Sequence, residues 1–385
     1  MKRLLVILLI LTAKLATSQQ VTVTPEGYIK LLPHKKDTVF VEKVVVKDTI
    51  IYKDKIVYKD TTIYRDTCTG TQPPPPPPPT GIDYLALPLS GPMDLSGRSN
   101  VIVENKRFSN INGVTLKLYA GANNIIIRNC FFDGASGELV ELENASNITI
   151  ENCLFARGLA GVYAVGSNNV KIINCQFVNM KIRRSSTGAF QGRGVFVQMN
   201  SCDGGEVTNC RGENFDGESD PEDMVSCYGG SSNITIKGNI FRGGKIGGPS
   251  TSGGGIIVGD YGGTNCIIEN NTVLNPGQYG MAVAGGRLNK IINNKIYSER
   301  TAVSNNPLYV ANYSGSIGCS DITVTGNRVN WTDTNGNKNM GWNSGDCANT
   351  PYNPANNQTI TLAELGVPSH LITFVTPAQL LTIRK

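Results

Sequence analysis

The sequence predicts an all-β solenoid of about nine stacked turns from residue 100 onward, and three observations carry that expectation. Related segments recur: SNVIVENKRF, NNIIIRNCFF, SNITIENCLF and NNVKIINCQF, a degenerate GGEVTNCRG, then SNITIKGNIF, NCIIENNTV, NKIINNKIY and DITVTGNRV. The register is anchored on Asn100, Asn124, Asn147, Asn169, Gly204, Asn233, Asn265, Asn289 and Asp321. Three positions later every residue is aliphatic: Val103, Ile127, Ile150, Ile172, Val207, Ile236, Ile268, Ile292 and Val324. Eight positions later stand Phe108, Phe132, Phe155, Phe177, Gly212, Phe241, Val273, Tyr297 and Val329, with Gly212 the exception. Within each copy apolar and polar residues alternate, which suits strands and no helical period.

Ahead of the repeats, the chain opens MKRLLVILLILTAKLATSQQ, a basic start, a short apolar run and small residues near Ser18. Residues 1–18 are therefore expected to be a secretory signal peptide, placing the protein outside the cell or at its surface. No later stretch is apolar enough to span a bilayer. Residues 19–72 form an extended segment in which Lys47-Asp48, Lys53-Asp54, Lys59-Asp60 and Arg65-Asp66 recur every six residues. An even repeat returns to one face of a strand, so this segment reads either as a stalk attached to a surface or as a strand that self-associates. Pro73 to Pro79 give a stiff spacer over residues 73–80.

The main domain, residues 81–340, adds a second short strand to each turn: GVTLKLY, GELVELE, AGVYAVG, RGVFVQM, EDMVSCY, GGIIVGD, YGMAVAG and NPLYVAN. Asn129, Asn152, Asn174, Asn209, Asn270 and Asn294 take the turn position, where side-chain amides can form a ladder. Cys130, Cys153, Cys175 and Cys210 all lie six residues after their anchors and are expected to stack as buried thiols. Cys319 and Cys347 are placed to bridge the C-terminal loop, with Cys202 and Cys227 a weaker pair. Residues 341–385 are read as a loop and a cap over the open end of the solenoid.

This pattern resembles the right-handed parallel β-helix of the pectate-lyase-like superfamily over roughly residues 95–335. The resemblance implies an all-β, right-handed, single-stranded parallel β-helix of about nine turns, preceded by the extended stalk.

Charge excludes some functions. The net +5 resides outside the main domain, since residues 81–385 hold 23 basic and 23 acidic side chains. Nothing there attracts nucleic acid. The only histidines are His34 and His370, so histidine-based catalysis is not expected in the repeats.

Candidate chemistry sits in the long excursions between turns, at 178–193, 211–222 and 242–254, which precede the second strand on consecutive turns. The first carries Lys181, Arg183, Arg184 and Arg193; the second carries Asp216, Glu218, Asp220 and Glu222, with Asp223 next; the third carries Arg242 and Lys245. Arg183 and Arg184 are expected either to neutralise the acids or to bind substrate. Small residues usually precede the second strand (Gly113, Gly161, Gly194, Gly255, Gly280), whereas Glu138, Asp223 and Pro307 depart from that rule. Tyr163, Phe196, Tyr228, Tyr261 and Tyr279 read either as a sugar-stacking groove or as ordinary exposed aromatics.

The run EDMVSCYGGSSNITIKGNIFRGGK is similar to the part of pectate lyases that holds calcium and an acidic sugar. By that resemblance Glu218 and Glu222 or Asp223, with Asp220 in the same acidic set, would hold calcium. Lys245 would face a substrate carboxylate, and Arg193 or Arg242 would act as the base of a β-elimination on an acidic polysaccharide. The Asp–Gly pair of that family is not reproduced. A non-catalytic glycan-binding or adhesion module on a stalk is the competing expectation.

Overall fold

The computed structural model describes residues 81–181, 183, 186–188, 192, 194–243, 253–313 and 318–384, and the strand backbones at 20–23, 29–32, 44–46 and 49–51. Two compact units result, residues 1–71 and 72–385. In the first, Gln20–Val23 pairs antiparallel with Ile29–Leu32, and Val44–Val46 with Thr49–Ile51. The segment expected to be a signal peptide, the Lys-Asp pairs and the proline spacer lie outside the described residues.

The second unit is a parallel coil of three long sheets. The first sheet has nine strands, from Ser99–Glu104 to Thr323–Thr325. The second has eleven, from Leu89–Ser90 to Gln358–Thr359, and the third ten, from Met93–Asp94 to Trp342–Asn343. Each turn of chain contributes one strand to each sheet. The coil thus runs past residue 340 into the segment expected to be loop and cap.

Left-handed asparagines punctuate most turns. The anchors Asn100, Asn124, Asn147, Asn169, Asn233 and Asn265 all have φ between 51° and 59°, a region that Asn enters more readily than other non-glycine residues. Their side chains form an exposed ladder, Asn124 donating to Asn100 at 2.6 Å and Asn169 to Asn147 at 2.8 Å.

In the eighth turn the structure corrects the register by one residue. Leu288, not Asn289, takes the left-handed anchor (φ 57°), and Asn293, not Asn294, takes the turn. The aliphatic row therefore continues through Ile291 and the aromatic row through Ile296, with Ile292 and Tyr297 turned outward. Burial decides this, because a one-residue slip would turn the apolar set to solvent.

Inside the coil, Phe108, Phe132, Phe155 and Phe177 stack with ring centroids 4.9–5.0 Å apart, close to the ~4.8 Å spacing of paired strands. Gly212 breaks the row, and Phe196 of the third sheet fills the space, 5.4 Å from both Phe177 and Phe241. A Cβ at Gly212 would collide with the Phe196 ring. Phe196 is fully buried and is not a groove residue.

The cysteine column behaves as expected and then changes chemistry. Cys130, Cys153, Cys175 and Cys210 are buried free thiols, each pointing at a carbonyl of the preceding turn at 3.6–3.8 Å. Asn239, Asn271, Asn294 and Asn327 continue the same column, donating to the equivalent carbonyls at 2.9–3.0 Å. The interior amide ladder stands here, one residue after the turn. Cys319 and Cys347 form the disulfide, whereas Cys202 and Cys227 are buried free thiols.

The C-terminal segment is a lateral strap and not an end cap. After Gln358–Thr359 it runs back along the outer face of the second sheet, ending in the helix Pro377–Arg384. Ile372, Phe374, Leu380 and Ile383 cover Phe131, Leu154 and Val178, which point outward from that sheet. Apolar side chains on both faces of these strands demand such a cover.

Candidate functional site

The first two excursions lie side by side, as the repeat spacing predicts. Lys181 and Asp220 form a parallel bridge, and the Glu222 N–H donates to the Gly194 carbonyl at 2.9 Å. The third excursion falls largely outside the described residues, together with Lys245. Arg184 and Arg193 lie outside them as well. Arg183 is described and exposed.

The acidic run does not converge on one point. Glu218 pairs with the strap, accepting from Arg384 at 2.6 and 2.9 Å and from Asn179 at 3.1 Å. Asp220 is held at the bridge to Lys181, and only Glu222 and Asp223 reach the third sheet's outer face. Among the described residues no group of three or more His, Cys, Asp or Glu is arranged to hold a metal ion. Glu218 thus faces the strap, while Glu222 and Asp223 face the cleft. Arg242 is likewise engaged elsewhere: its guanidinium contacts Glu213 at 2.7 Å and the carbonyls of Pro368 and Ser369. It fastens the strap to the second sheet.

What the third sheet does build is a cleft of about 510 Å³ along its outer face. Asp223 is part of its wall. The strand Asp223–Tyr228 pairs with Gly254–Asp260, which pairs with Tyr279–Val283, so that Asp223, Gly254 and Tyr279 stand in one row on consecutive turns. Asp223 is thus opposite Gly254, one position before the glycine row assigned to it from sequence. Because Gly254 has no side chain, the Tyr279 ring lies over it; a Cβ there would collide with the ring. The Tyr279 hydroxyl then donates to Asp223 at 2.5 Å.

This carboxyl is buried, with 7% exposure. Desolvation pushes its pKa up to about 7, against the opposing effect of the Tyr279 hydrogen bond, and the nearby charge of Asp260 pushes it further up. Burial also raises the Tyr279 phenol well above its ordinary value, so it stays a proton donor in the hydrogen bond.

Around this acid the cleft is aromatic and acidic. Tyr228 and Tyr261 both line it, Tyr261 with 61% exposure. Tyr279 lines it too, whereas Phe196 and Tyr163 do not, so the five aromatics singled out in the sequence divide. Tyr309 and Trp342 extend the wall, with centroids 5.4 Å from Tyr279 to Tyr309 and 6.4 Å from Tyr309 to Trp342. Asp260, Tyr309, Trp342 and Gln198 escaped the sequence reading. The signal lay in alternate positions of the second-strand segments, where Gln198, Ser226, Ile257, Ala282, Tyr309 and Trp342 form one outward row. Among the described residues lining the cleft are Glu222, Asp223 and Asp260, and no Lys or Arg.

No protein of curated function gives a significant match to the chain. Solved structures do match: the catalytic domain of a GH87 alpha-1,3-glucanase in complex with nigerose, at 12% identity and TM-score 0.33, covers 72% of this chain. A single-substitution form of that domain in complex with tetrasaccharides matches at 12% identity and TM-score 0.30, over 72% of this chain. The chain spans 63% of the length of both. The sugars in those complexes belong to those proteins alone. The family described as "Right handed beta helix region" matches residues 89–210 and again 128–296, more than half of the sequence. Three parallel sheets wound as one coil and this match agree: the chain belongs to the right-handed β-helix family.

Proposed function

We propose that the third-sheet cleft hydrolyses glycosidic bonds in an uncharged polysaccharide, with Asp223 as the general acid. The observation that carries this reading is a buried carboxyl, oriented by Tyr279 across Gly254 and set in an aromatic cleft beside further carboxylates. Burial keeps the proton on Asp223 near neutral pH, which is the requirement for donating it to a leaving glycosidic oxygen. As the carbon–oxygen bond breaks, that oxygen takes the Asp223 proton. A water adds to the sugar carbon and gives its own proton to a second carboxylate, for which Asp260 and Glu222 are the groups at hand. Exposed tyrosines and Trp342 offer flat faces for sugar rings.

The described part of the wall favours an uncharged polymer, while Arg184, Arg193 and Lys245, cations singled out for β-elimination, lie outside the described residues. The wall's described carboxylates, Glu222, Asp223 and Asp260, disfavour an acidic polymer by like-charge repulsion. The apolar leader supports a site of action outside the cell, where such polymers are met.

The test is incubation with neutral glucans, xylan and mannan, and separately with pectate and alginate, with and without chelator. Reducing ends released from a neutral polymer, unaffected by chelator and lost in Asp223→Asn, are the expected result. An ultraviolet-absorbing unsaturated product from pectate or alginate, or turnover retained in Asp223→Asn, overturns the reading. Retention of a neutral polymer without cleavage would establish a binding module instead.

A further inference from the structure

The side-chain oxygen of Gln198 is buried in the cleft wall and has no hydrogen-bond partner. The residue is only 8% exposed, and an orphaned acceptor at that depth is costly and uncommon in a native fold. Its place is informative. Gln198 pairs with Ser226, so it sits one turn before the turn that carries Asp223. In the outward row of the third sheet that runs from Tyr163 through Gln198 to Tyr309 and Trp342, Gln198 is the first residue to line the cleft. Five steps of ~4.8 Å separate Gln198 from Trp342, roughly 24 Å along the coil axis.

We infer that this row is one oligosaccharide track parallel to the coil axis, in which Gln198 accepts a hydrogen bond from a sugar hydroxyl at one end and Trp342 stacks on a sugar ring at the other. The inference rests on the cleft being a glycan site and adds direction and specificity to it. Each turn rises by a distance comparable to one sugar unit with its linkage, so successive turns offer successive subsites. Asp223 stands one turn from the Gln198 end and four from the Trp342 end. Binding is therefore lopsided: the sugar beside the acid is read by a buried acceptor, and the remote sugars are held by aromatic faces. A site that hydrogen-bonds a substrate hydroxyl discriminates strongly against analogues lacking it, because the acceptor is then left unpaired.

The test measures binding of cello-, laminari-, xylo- and manno-oligosaccharides, from di- to hexasaccharides, to the full chain carrying Asp223→Asn, so that no cleavage intervenes. Adding Gln198→Leu is expected to weaken binding about tenfold at every length and to raise the midpoint of thermal unfolding, since the orphaned acceptor is gone. Gln198→Met, closer in shape, repeats the test should Leu not fold. Adding Trp342→Ala is expected to weaken only the longer oligosaccharides, several-fold. A Gln198 variant that binds as before, or one that loses stability and binding together, overturns the assignment of Gln198. A Trp342→Ala effect equal at all lengths overturns the axial direction, and absence of binding by every oligosaccharide overturns the track altogether. Turnover of a neutral polymer by the unmodified protein, with binding indifferent to Gln198 and Trp342, would defeat the track and leave the hydrolase standing. The expected length dependence without any turnover would do the reverse.

Discussion

Tyr279 hydrogen-bonds Asp223 at 2.5 Å from two turns further along the coil, reaching across Gly254 to do so. Three strands far apart in sequence thus make one acid. The donor, the gap and the acceptor have separable roles, and each leads to a different measurement.

Titration of Asp223 sets the pH behaviour. Its folded pKa of about 7 lies above the ordinary carboxylate range because burial disfavours the charge. The stability contributed by the neutral form is fully present below the ordinary carboxylate pKa and is lost as pH rises towards 7. The loss is on the order of 4 kcal/mol, at about 1.4 kcal/mol for each tenfold change in the proton equilibrium. Asp223→Asn is expected to remove that slope, so urea unfolding of the variant and the parent should diverge between pH 4 and pH 7. Hydrolysis, which needs the protonated form, is expected to decline above about pH 7. A rate that keeps rising into alkaline pH would contradict the acid role.

Removal of the donor shifts that limb in a defined direction. The Tyr279 hydrogen bond lowers the Asp223 pKa, opposing desolvation. Tyr279→Phe should therefore raise it, and the alkaline limb of the rate profile should move to higher pH while the fold is kept. Gly254→Ala acts differently. Its Cβ would displace the Tyr279 ring, and a turnover loss of tenfold or more is expected, with the limb shifted the same way. Unshifted profiles in both variants would show that Tyr279 does not tune the acid.

Much of this architecture was legible in the sequence. The recurring aliphatic and aromatic positions identified the coil, because a column of buried side chains must repeat at every turn. Phe108, Phe132, Phe155 and Phe177 stack as their spacing requires. In the eighth turn the polar text RLNK attracts the anchor to Asn289, whereas burial of Ile291 and Ile296 places it on Leu288. Five neighbouring acids pointed to the right excursion, but Asp223 separates from Glu218 only through partners remote in sequence, Tyr279 and Arg384. No local pattern specifies such pairings.

The gap at Gly212 yields a stability test. Phe196 occupies the volume that an aromatic ring would otherwise take in that row. Phe196→Ala is expected to cost about 3–5 kcal/mol, as buried aromatic truncations do. Gly212→Ala is expected to destabilise by overpacking, by about 1–3 kcal/mol. Denaturant titration of both variants checks this. A near-neutral Phe196→Ala would mean that the ring is not a core element.

The switch from thiol to amide in the interior column makes a sharper prediction. Asn239 donates to the Val207 carbonyl at 2.9 Å and accepts from the Cys210 N–H at 2.8 Å, so Asn239→Ala strands two buried backbone groups and should cost several kcal/mol, at about 1–3 kcal/mol for each orphan. Cys210 already points its thiol at the Ile172 carbonyl and accepts from the Cys175 N–H at 3.4 Å. An amide at that position finds the same two partners with stronger groups. Cys210→Asn is therefore expected to fold with stability equal to or above the parent, whereas Cys210→Leu offers no donor and overfills the space.

The strap provides the last test, since its role is covering and not capping. Phe131, Leu154 and Val178 face outward from the second sheet and are buried under Ile372, Phe374, Leu380 and Ile383 of the strap, together with Tyr84. Arg384 fixes the end of the strap, pairing with Glu218 and stacking over Phe215 at 3.7 Å. Glu218 belongs to the loop that leads into Glu222 and Asp223, so the strap also braces the approach to the acid. Arg384→Ala removes the brace and leaves the apolar contacts intact. Its expected cost is about 1–2 kcal/mol, within the range of charge-assisted hydrogen bonds, and turnover should fall through a less ordered loop. Deletion of residues 368–385 uncovers most of the apolar strip, leaving Tyr84 over the remainder, and a soluble monomer is not expected to survive, because exposed apolar surface of that extent drives association. Light scattering and thermal unfolding separate the two. A truncated protein that remains monomeric with an unchanged midpoint would show that the second sheet needs no cover, against the burial of those side chains.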